Sequence, residues 1–234
     1  AAWDKLRMAG ARRQNVYLYA ATGYGKTELL HRYLRRRRHI WLSGEGLTVE
    51  TLQEIALPAE ATMVIDDLAR VLDPAVRREI VSMLDQPGLW LVLAGRCPLP
   101  SWLTGPYVNG RLSVIPEEDL RLSEKEIAQL YLSWGVQLPR NLLEKRIIPL
   151  VEGSPLGARL LAVEMSQGSS YTEELMNDLT RKFYEYLNQA IYSEWPEEIR
   201  EMMMQLSLLE HFTIQQAEEM TGRSDVNRLL AQAA

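Results

Sequence analysis

The chain has 234 residues, enough for one large domain or two small ones. Hydrophobic residues make up 47% and charged residues 24%, the balance of an ordinary soluble globular protein, and no run approaches the ~18 apolar residues a membrane-spanning helix needs. A single cysteine, Cys97, excludes an internal disulfide framework; with no signal-peptide pattern at the N-terminus, the expected location is a reducing cytoplasm. The net charge of −5 is uneven. From Tyr171 to Ala234 there are five Arg or Lys against twelve Asp or Glu, a balance of −7, which leaves the first 170 residues at +2. Lys and Arg supply much of the affinity for nucleic acid through counterion release, so the acidic C-terminal third is a poor DNA surface. No direct DNA contact is expected from this fragment.

In chain order, Asn15–Ala20, Ile40–Ser43, Thr62–Asp66 and Leu89–Ala94 read as short buried strands, with Leu112–Ile115 a weaker fifth. Helical stretches fall between them near Lys26–Arg37, Val49–Ile55 and Pro74–Leu84. In the last of these, Val76, Ile80, Met83 and Leu84 form one apolar stripe beside charged Arg77, Arg78 and Glu79. Such alternation implies an α/β domain, a mostly parallel sheet with helices on both faces.

After Pro116 the strands stop. Ser123 and Glu126 have the spacing of a capping box that opens a helix. Further helices are expected near Arg140–Val151, Pro155–Ser166, Thr172–Ser193 and Pro196–Leu208. In the long one, Leu175, Leu179, Phe183, Leu187 and Ile191 recur every fourth residue. A last pair begins at Thr213 and Ser224, separated by Gly222. The composition changes near residues 116–122, the best boundary.

The sharpest chemical signal is Ala20-Ala21-Thr22-Gly23-Tyr24-Gly25-Lys26-Thr27, placed between a strand and a helix. A phosphate chain needs donors converging from one side and a backbone that comes close to it. Gly23 and Gly25 permit that approach, and the turn's N–H groups with the helix N-terminus form an anion cradle. Lys26 can reach the β- and γ-phosphates, and the Thr27 hydroxyl can ligate Mg²⁺. Ala20 stands where the first glycine of this P-loop pattern is expected.

Met63-Val64-Ile65-Asp66-Asp67 is an apolar strand ending in two carboxylates. Such a pair can simply cap the next helix. Beside a P-loop, Asp66 is expected at the metal and Asp67 as the group that orients or deprotonates an attacking water. The strand Leu89–Ala94 ends at Gly95-Arg96 and can lie beside the P-loop strand, so Arg96 is either a γ-phosphate contact or a surface arginine. Arg35 to Arg38, at the end of the P-loop helix, read as a solvated face that complements the helix dipole. His31, His39 and His211 lack metal-ligand spacing, and Met202 to Met204 are expected in a core.

Thr22-Gly-Tyr-Gly-Lys-Thr-Glu-Leu-Leu, Val64-Ile-Asp-Asp-Leu, Leu91-Val-Leu-Ala-Gly-Arg96 and Glu152-Gly-Ser-Pro155 occur in the order seen in STAND ATPases. The chain most resembles the large ATP-binding, LuxR-type transcription regulators of the MalT kind, which also commonly lack the first P-loop glycine. The resemblance implies a P-loop nucleotide-binding domain (1–118), a helical lid (119–170) and a winged-helix domain (171–234) at which the chain stops, so that a sensor receiving an unknown inducer and a DNA-binding domain would lie beyond it. It also implies that Arg96 is a sensor arginine, that Pro155, in the lid's Gly-x-Pro, packs near the adenine, and that the short stretch Ser43–Thr62 has a reduced helix or none.

The expected ligand is therefore ATP or ADP with Mg²⁺. Thr22, Gly23, Tyr24, Gly25, Lys26, Thr27, Glu28 and Pro155 would contact the nucleotide, Thr27 and Asp66 the metal, with Asp67, Lys26 and Arg96 acting in slow hydrolysis. The function expected is an ATP/ADP switch that self-associates in its ATP state. A non-hydrolysing nucleotide-dependent scaffold and a P-loop small-molecule kinase are the alternatives.

Overall fold

The five short apolar segments assemble as one sheet in the computed structural model, which describes residues 1–166, 173–190, 192, 195–209 and 211–233. The strands β1 (Asn15–Tyr19), β2 (Ile40–Ser43), β3 (Ala61–Asp66), β4 (Leu89–Gly95) and β5 (Leu112–Ile115) lie in the order β2-β3-β4-β1-β5, and every pairing is parallel. All seven residues of β4 are buried, as a central parallel strand covered on both faces requires.

Successive side chains of a strand point to opposite faces, and the two cores divide accordingly. Around the sheet run helices α1 (Ala2–Arg12), α2 (Lys26–Leu34), α3 (Val49–Glu54), α4 (Pro74–Met83) and α5 (Ser101–Val108). Met63, Ile65, Leu91 and Leu93 pack with Val76, Ile80 and Met83 of α4 on one side. Val64, Trp90, Val92 and Ala94 pack with Leu6 and Ala9 of α1 and Leu30 and Leu34 of α2 on the other. The segment between β2 and β3 has the reduced helix expected, the six residues of α3, capped by Thr48, whose hydroxyl accepts from Thr51 N–H. The helix α2 ends at Leu34, so Arg35 to Arg38 follow its last turn as exposed residues.

One buried polar side chain ties the sheet together. Asn15 donates from Nδ2 to the carbonyls of Leu84 (2.9 Å) and Arg111 (3.2 Å), and its Oδ1 accepts from Leu91 N–H (2.9 Å). It thus joins β1 to β4, to the end of α4 and to the approach to β5.

The chain divides into two compact units. The first comprises Ala1–Leu122 with Ser154–Leu156, and the second Ser123–Gly153 with Gly157–Ala234. After Leu122 the structure is helical: α6 (Glu124–Ser133), α7 (Arg140–Leu142), a π-helical turn Leu143–Ile147, α8 (Ile148–Val151), α9 (Pro155–Ser166), α10 (Glu173–Ala190), α11 (Glu197–Leu206), α12 (Ile214–Thr221) and α13 (Val226–Ala233). The Ser123/Glu126 capping box is formed, and a second one joins Thr213 to Gln216. Phe183 of α10 is buried, whereas the side chains of Leu175, Leu179 and Leu187, and Thr172, Ile191 and Ser193 entirely, lie outside the described residues. Ile199, Met202, Leu206, Ala217, Val226 and Leu229 build a small core. Met202 and Met203 join it as expected, but Met204 does not. One residue further round the helix turns its side chain to solvent, where it is 62% exposed.

Two buried polar groups make opposite predictions. Removing the Asn15 side chain leaves the buried Leu91 N–H and Leu84 C=O unpaired, so Asn15→Ala should destabilise the first unit by about 2–4 kcal/mol. The Tyr131 hydroxyl, in the second unit, is buried without a hydrogen-bond partner among the described residues. Tyr131→Phe should therefore be neutral or stabilising. Urea unfolding of both variants checks this, and a destabilised Tyr131→Phe would show that its hydroxyl is satisfied.

Candidate functional site

The loop between β1 and α2 carries the P-loop sequence. Ala20 is fully buried and its backbone has ordinary negative φ, so an alanine fits where the pattern has glycine. Gly23 (φ 91°) and Gly25 (φ 77°) take left-handed conformations that favour glycine. Gly25 caps α2, whose first N–H groups have no intrahelical acceptor and face out of the helix end. Lys26 folds back over the loop, and its Nζ donates to the carbonyls of Ala20 (2.6 Å) and Ala21 (3.1 Å). Burial pulls the Lys26 ammonium below its usual pKa. Arg96 acts in the same direction, and Asp66 opposes both.

Parallel pairing places the ends of β3 and β4 beside this loop. Asp66 closes β3, and its Oδ2 accepts the Thr27 hydroxyl at 2.9 Å, while its Oδ1 accepts Asp67 N–H at 2.9 Å. Two oxygens of the kind that hold Mg²⁺ are therefore together. Asp67 is one of three non-glycine residues with positive φ among the described residues, at 53°. Its carbonyl lies over Gly44, where any Cβ would come within 2.4 Å, and Gly44 N–H donates to Asp66 O at 2.7 Å. Only glycine lets the strand β2 end so close to this turn.

Arg96 follows β4 and places its Nε 3.7 Å from Asp67 Oδ1. Its backbone is held from below. The Tyr17 hydroxyl donates to Cys97 O at 2.7 Å and passes beneath Gly95, where a Cβ would meet it at 2.5 Å. Burial raises the Tyr17 phenol far above its usual value, so it stays a donor.

The structure also brings Leu156, the neighbour of Pro155, to the loop. The segment Ser154–Leu156 belongs to the first unit, and Leu156 N–H, one of the free donors in the first turn of α9, gives a 3.1 Å hydrogen bond to Gly23 O. The Leu156 side chain closes over Gly23. Glu28 is exposed on the first turn of α2, where its charge suits the helix dipole, and joins none of these contacts. The residue that sequence reasoning missed is Glu117, just past β5. Its carboxylate accepts Ala21 N–H (2.9 Å) and Arg121 Nη2 (3.0 Å), and the Tyr24 hydroxyl is hydrogen-bonded to it as well. Its only trace in the sequence is the acidic run Glu117-Glu118-Asp119 after the last strand. Among the described residues no cluster of His, Cys, Asp or Glu could hold a metal by itself, and no helix is long and apolar enough to cross a membrane.

The strand order, the loop and the acidic strand end define the P-loop NTPase fold, and known structures agree. A Walker-type ATPase of Pyrococcus abyssi superposes with a TM-score of 0.68 at 12% identity, covering 99% of this chain and 87% of that one. Two variants of RuvB from Thermotoga maritima give TM-scores of 0.55 at 20% and 19% identity, covering 99% of this chain and 84% and 82% of theirs. At the other end, residues 188–234 match the family model of the MalT winged helix domain. The chain thus joins an α/β P-loop sheet to a helical part whose residues 188–234 are similar to the MalT winged helix domain. No curated protein matches it.

The two P-loop glycines should tolerate substitution differently. A Cβ at Gly25 meets nothing within 4 Å, so Gly25→Ala should cost only its left-handed strain, about 1–2 kcal/mol. A Cβ at Gly23 would lie 2.9 Å from Leu156 Cδ2 and 3.1 Å from its Cβ, adding a clash to the strain. Gly23→Ala should therefore melt at the lower temperature, and equal melting of the two would mean that Leu156 does not press on the loop.

Proposed function

We propose that the chain binds ATP or ADP with Mg²⁺ and serves as the ATP/ADP switch of a larger MalT-like, LuxR-type transcription regulator. The observation that carries this reading is the 2.9 Å contact between Thr27 and Asp66 at the mouth of a glycine-bent loop that ends in Lys26. The loop segment from Thr22 to Gly25, with the α2 N-terminus, would cradle the phosphates, and Lys26 would exchange its hold on two carbonyls for phosphate oxygens. Thr27 and Asp66 would hold Mg²⁺, which supplies charge neutralisation between the phosphates. Pro155 would pack near the base through the segment that already rests on Gly23. The fold of a Walker-type ATPase supports the same reading.

Hydrolysis is slow in this reading. Asp67 is the base that would accept a proton from water, and Arg96 sits beside it. An arginine that faces both Asp67 and the γ-phosphate position would leave the carboxylate when the triphosphate is bound and return after its loss. ADP would favour the resting form, and ATP a form that self-associates. The contact with Arg96 favours this over a nucleotide-dependent scaffold that never hydrolyses.

Denaturing the purified protein and identifying the released nucleotide tests the reading directly, and release of neither ATP nor ADP from protein that also fails to bind them in calorimetry would overturn it. Charge-assisted hydrogen bonds are worth about 1.5–3 kcal/mol each, so Lys26→Ala, losing two, should weaken binding by at least ~10²-fold with the fold intact. Asp66→Asn should weaken Mg²⁺-dependent binding, whereas Asp67→Asn should spare binding and lower turnover; equal turnover in the Asp67 variant and the parent would remove the base role. Reversing a two-state population from 1:99 to 99:1 takes about 5.5 kcal/mol, more than one arginine contact supplies. Arg96→Ala should therefore narrow the gap between ATP and ADP affinities without abolishing either.

A further inference from the structure

The P-loop in this protein is held by a group outside the motif, and this rests on the nucleotide-binding reading above. We propose that Glu117 is a positioning residue that braces the P-loop in its binding shape by holding Ala21 and Tyr24 at once. One carboxylate receives the N–H of Ala21, at the loop's entry, and the hydroxyl of Tyr24, next to the glycine that caps α2. Ala21 precedes both left-handed glycines, so the brace uses a donor that lies before the phosphate-facing turn.

The mount of this brace is itself fixed. Arg121 pairs with the other oxygen of Glu117 at 3.0 Å, and Arg121 N–H donates to Glu117 O at 3.1 Å. Lys5 of α1 ties down the same short helical turn through Asp119, at 2.5 Å. Burial works against the Glu117 charge, but the three donors prevail and hold its carboxyl below the ordinary glutamate value. The group is therefore ionised at neutral pH and favours the Lys26 ammonium. Its place in the chain adds a consequence: Glu117 lies shortly before Leu122, where the first unit ends, so a displacement of that segment would be felt in the loop.

The test compares the parent with Glu117→Ala, Glu117→Gln, Tyr24→Phe and the double variant Glu117→Ala/Tyr24→Phe. Calorimetry with Mg-ADP should show Glu117→Ala about tenfold weaker, in line with the loss of two hydrogen bonds. Glu117→Gln, which keeps an acceptor, should recover part of that. The double variant should bind no more weakly than Glu117→Ala alone, because both changes cut the same contact. Hydrogen exchange without nucleotide reads the brace independently of binding: peptides over residues 20–24 should exchange faster in Glu117→Ala while those over β4 keep their protection. Parent-like or tighter ADP binding by Glu117→Ala, additive losses in the double variant, or unchanged loop exchange would each overturn the proposal. Failure of the parent itself to bind nucleotide would instead overturn the reading beneath it.

Discussion

Parallel pairing of β3, β4 and β1 is the constraint on which the rest of the site depends. The register sets Tyr19 beside Gly95 and Ile65 beside Leu93, so the chain leaves all three strands at nearly the same level. The P-loop, Arg96 and the Asp66-Asp67 pair are distant in sequence and meet only because their strands run the same way. A parallel sheet must be covered on both faces, which is why β4 is apolar throughout and why α1 and α2 oppose α4 across it. Burial that stabilises the sheet thereby fixes the chemistry at its edge.

At that edge the backbone adopts conformations that the bulk of the chain avoids. Asp67 holds a left-handed turn, and Gly44, Gly95 and Gly23 each lie under a neighbouring group, respectively the Asp67 carbonyl, the Tyr17 hydroxyl and the Leu156 side chain. Strain of this kind persists where the surroundings over-determine it, and here the surroundings are strand ends set in two apolar cores. Gly23 thus has a packing reason as well as a conformational one, whereas Gly44 and Gly95 have a packing reason alone. Lys26 shows the electrostatic counterpart: an ammonium whose charge is disfavoured by burial is well disposed towards an anionic ligand.

Much of this was legible in the sequence, and the remainder was hidden for physical reasons. The strands announced themselves as apolar runs, and the loop by a spacing that phosphate chemistry demands. The pairing of β4 with β1 followed from the usual strand order of such sheets. The helix α1 left little pattern because two of its three buried residues are alanines, Ala2 and Ala9, and its start has no side-chain cap. The helix α5 contains Gly105 and Pro106, which signal a break, yet Leu103 and Pro106 are buried in it. Glu117 and the contact of Arg96 with Asp67 are tertiary facts. An acidic run resembles a solvated turn until the fold carries it to Ala21, and an arginine after a strand has no visible partner 29 residues away. Met204 was grouped with its neighbours by composition, whereas helical geometry separates it from them.

The sheet's outer strands bear on how the molecule behaves when crowded. β2 and β5 each pair on one side only, and an open strand edge is a template for adding a strand from another molecule. Both edges are short, four residues apiece. Pro116, directly after β5, has no N–H to offer a newcomer. At β2, four exposed arginines precede the strand, and His31 stacks on Trp41 with ring centroids 4.2 Å apart while His39 meets the same ring edge-on. Charge repulsion and an occupied aromatic face discourage sheet-to-sheet growth there. Short, charged or proline-flanked edges are the general means by which an open sheet avoids pairing with another copy, and both ends of this sheet have such features.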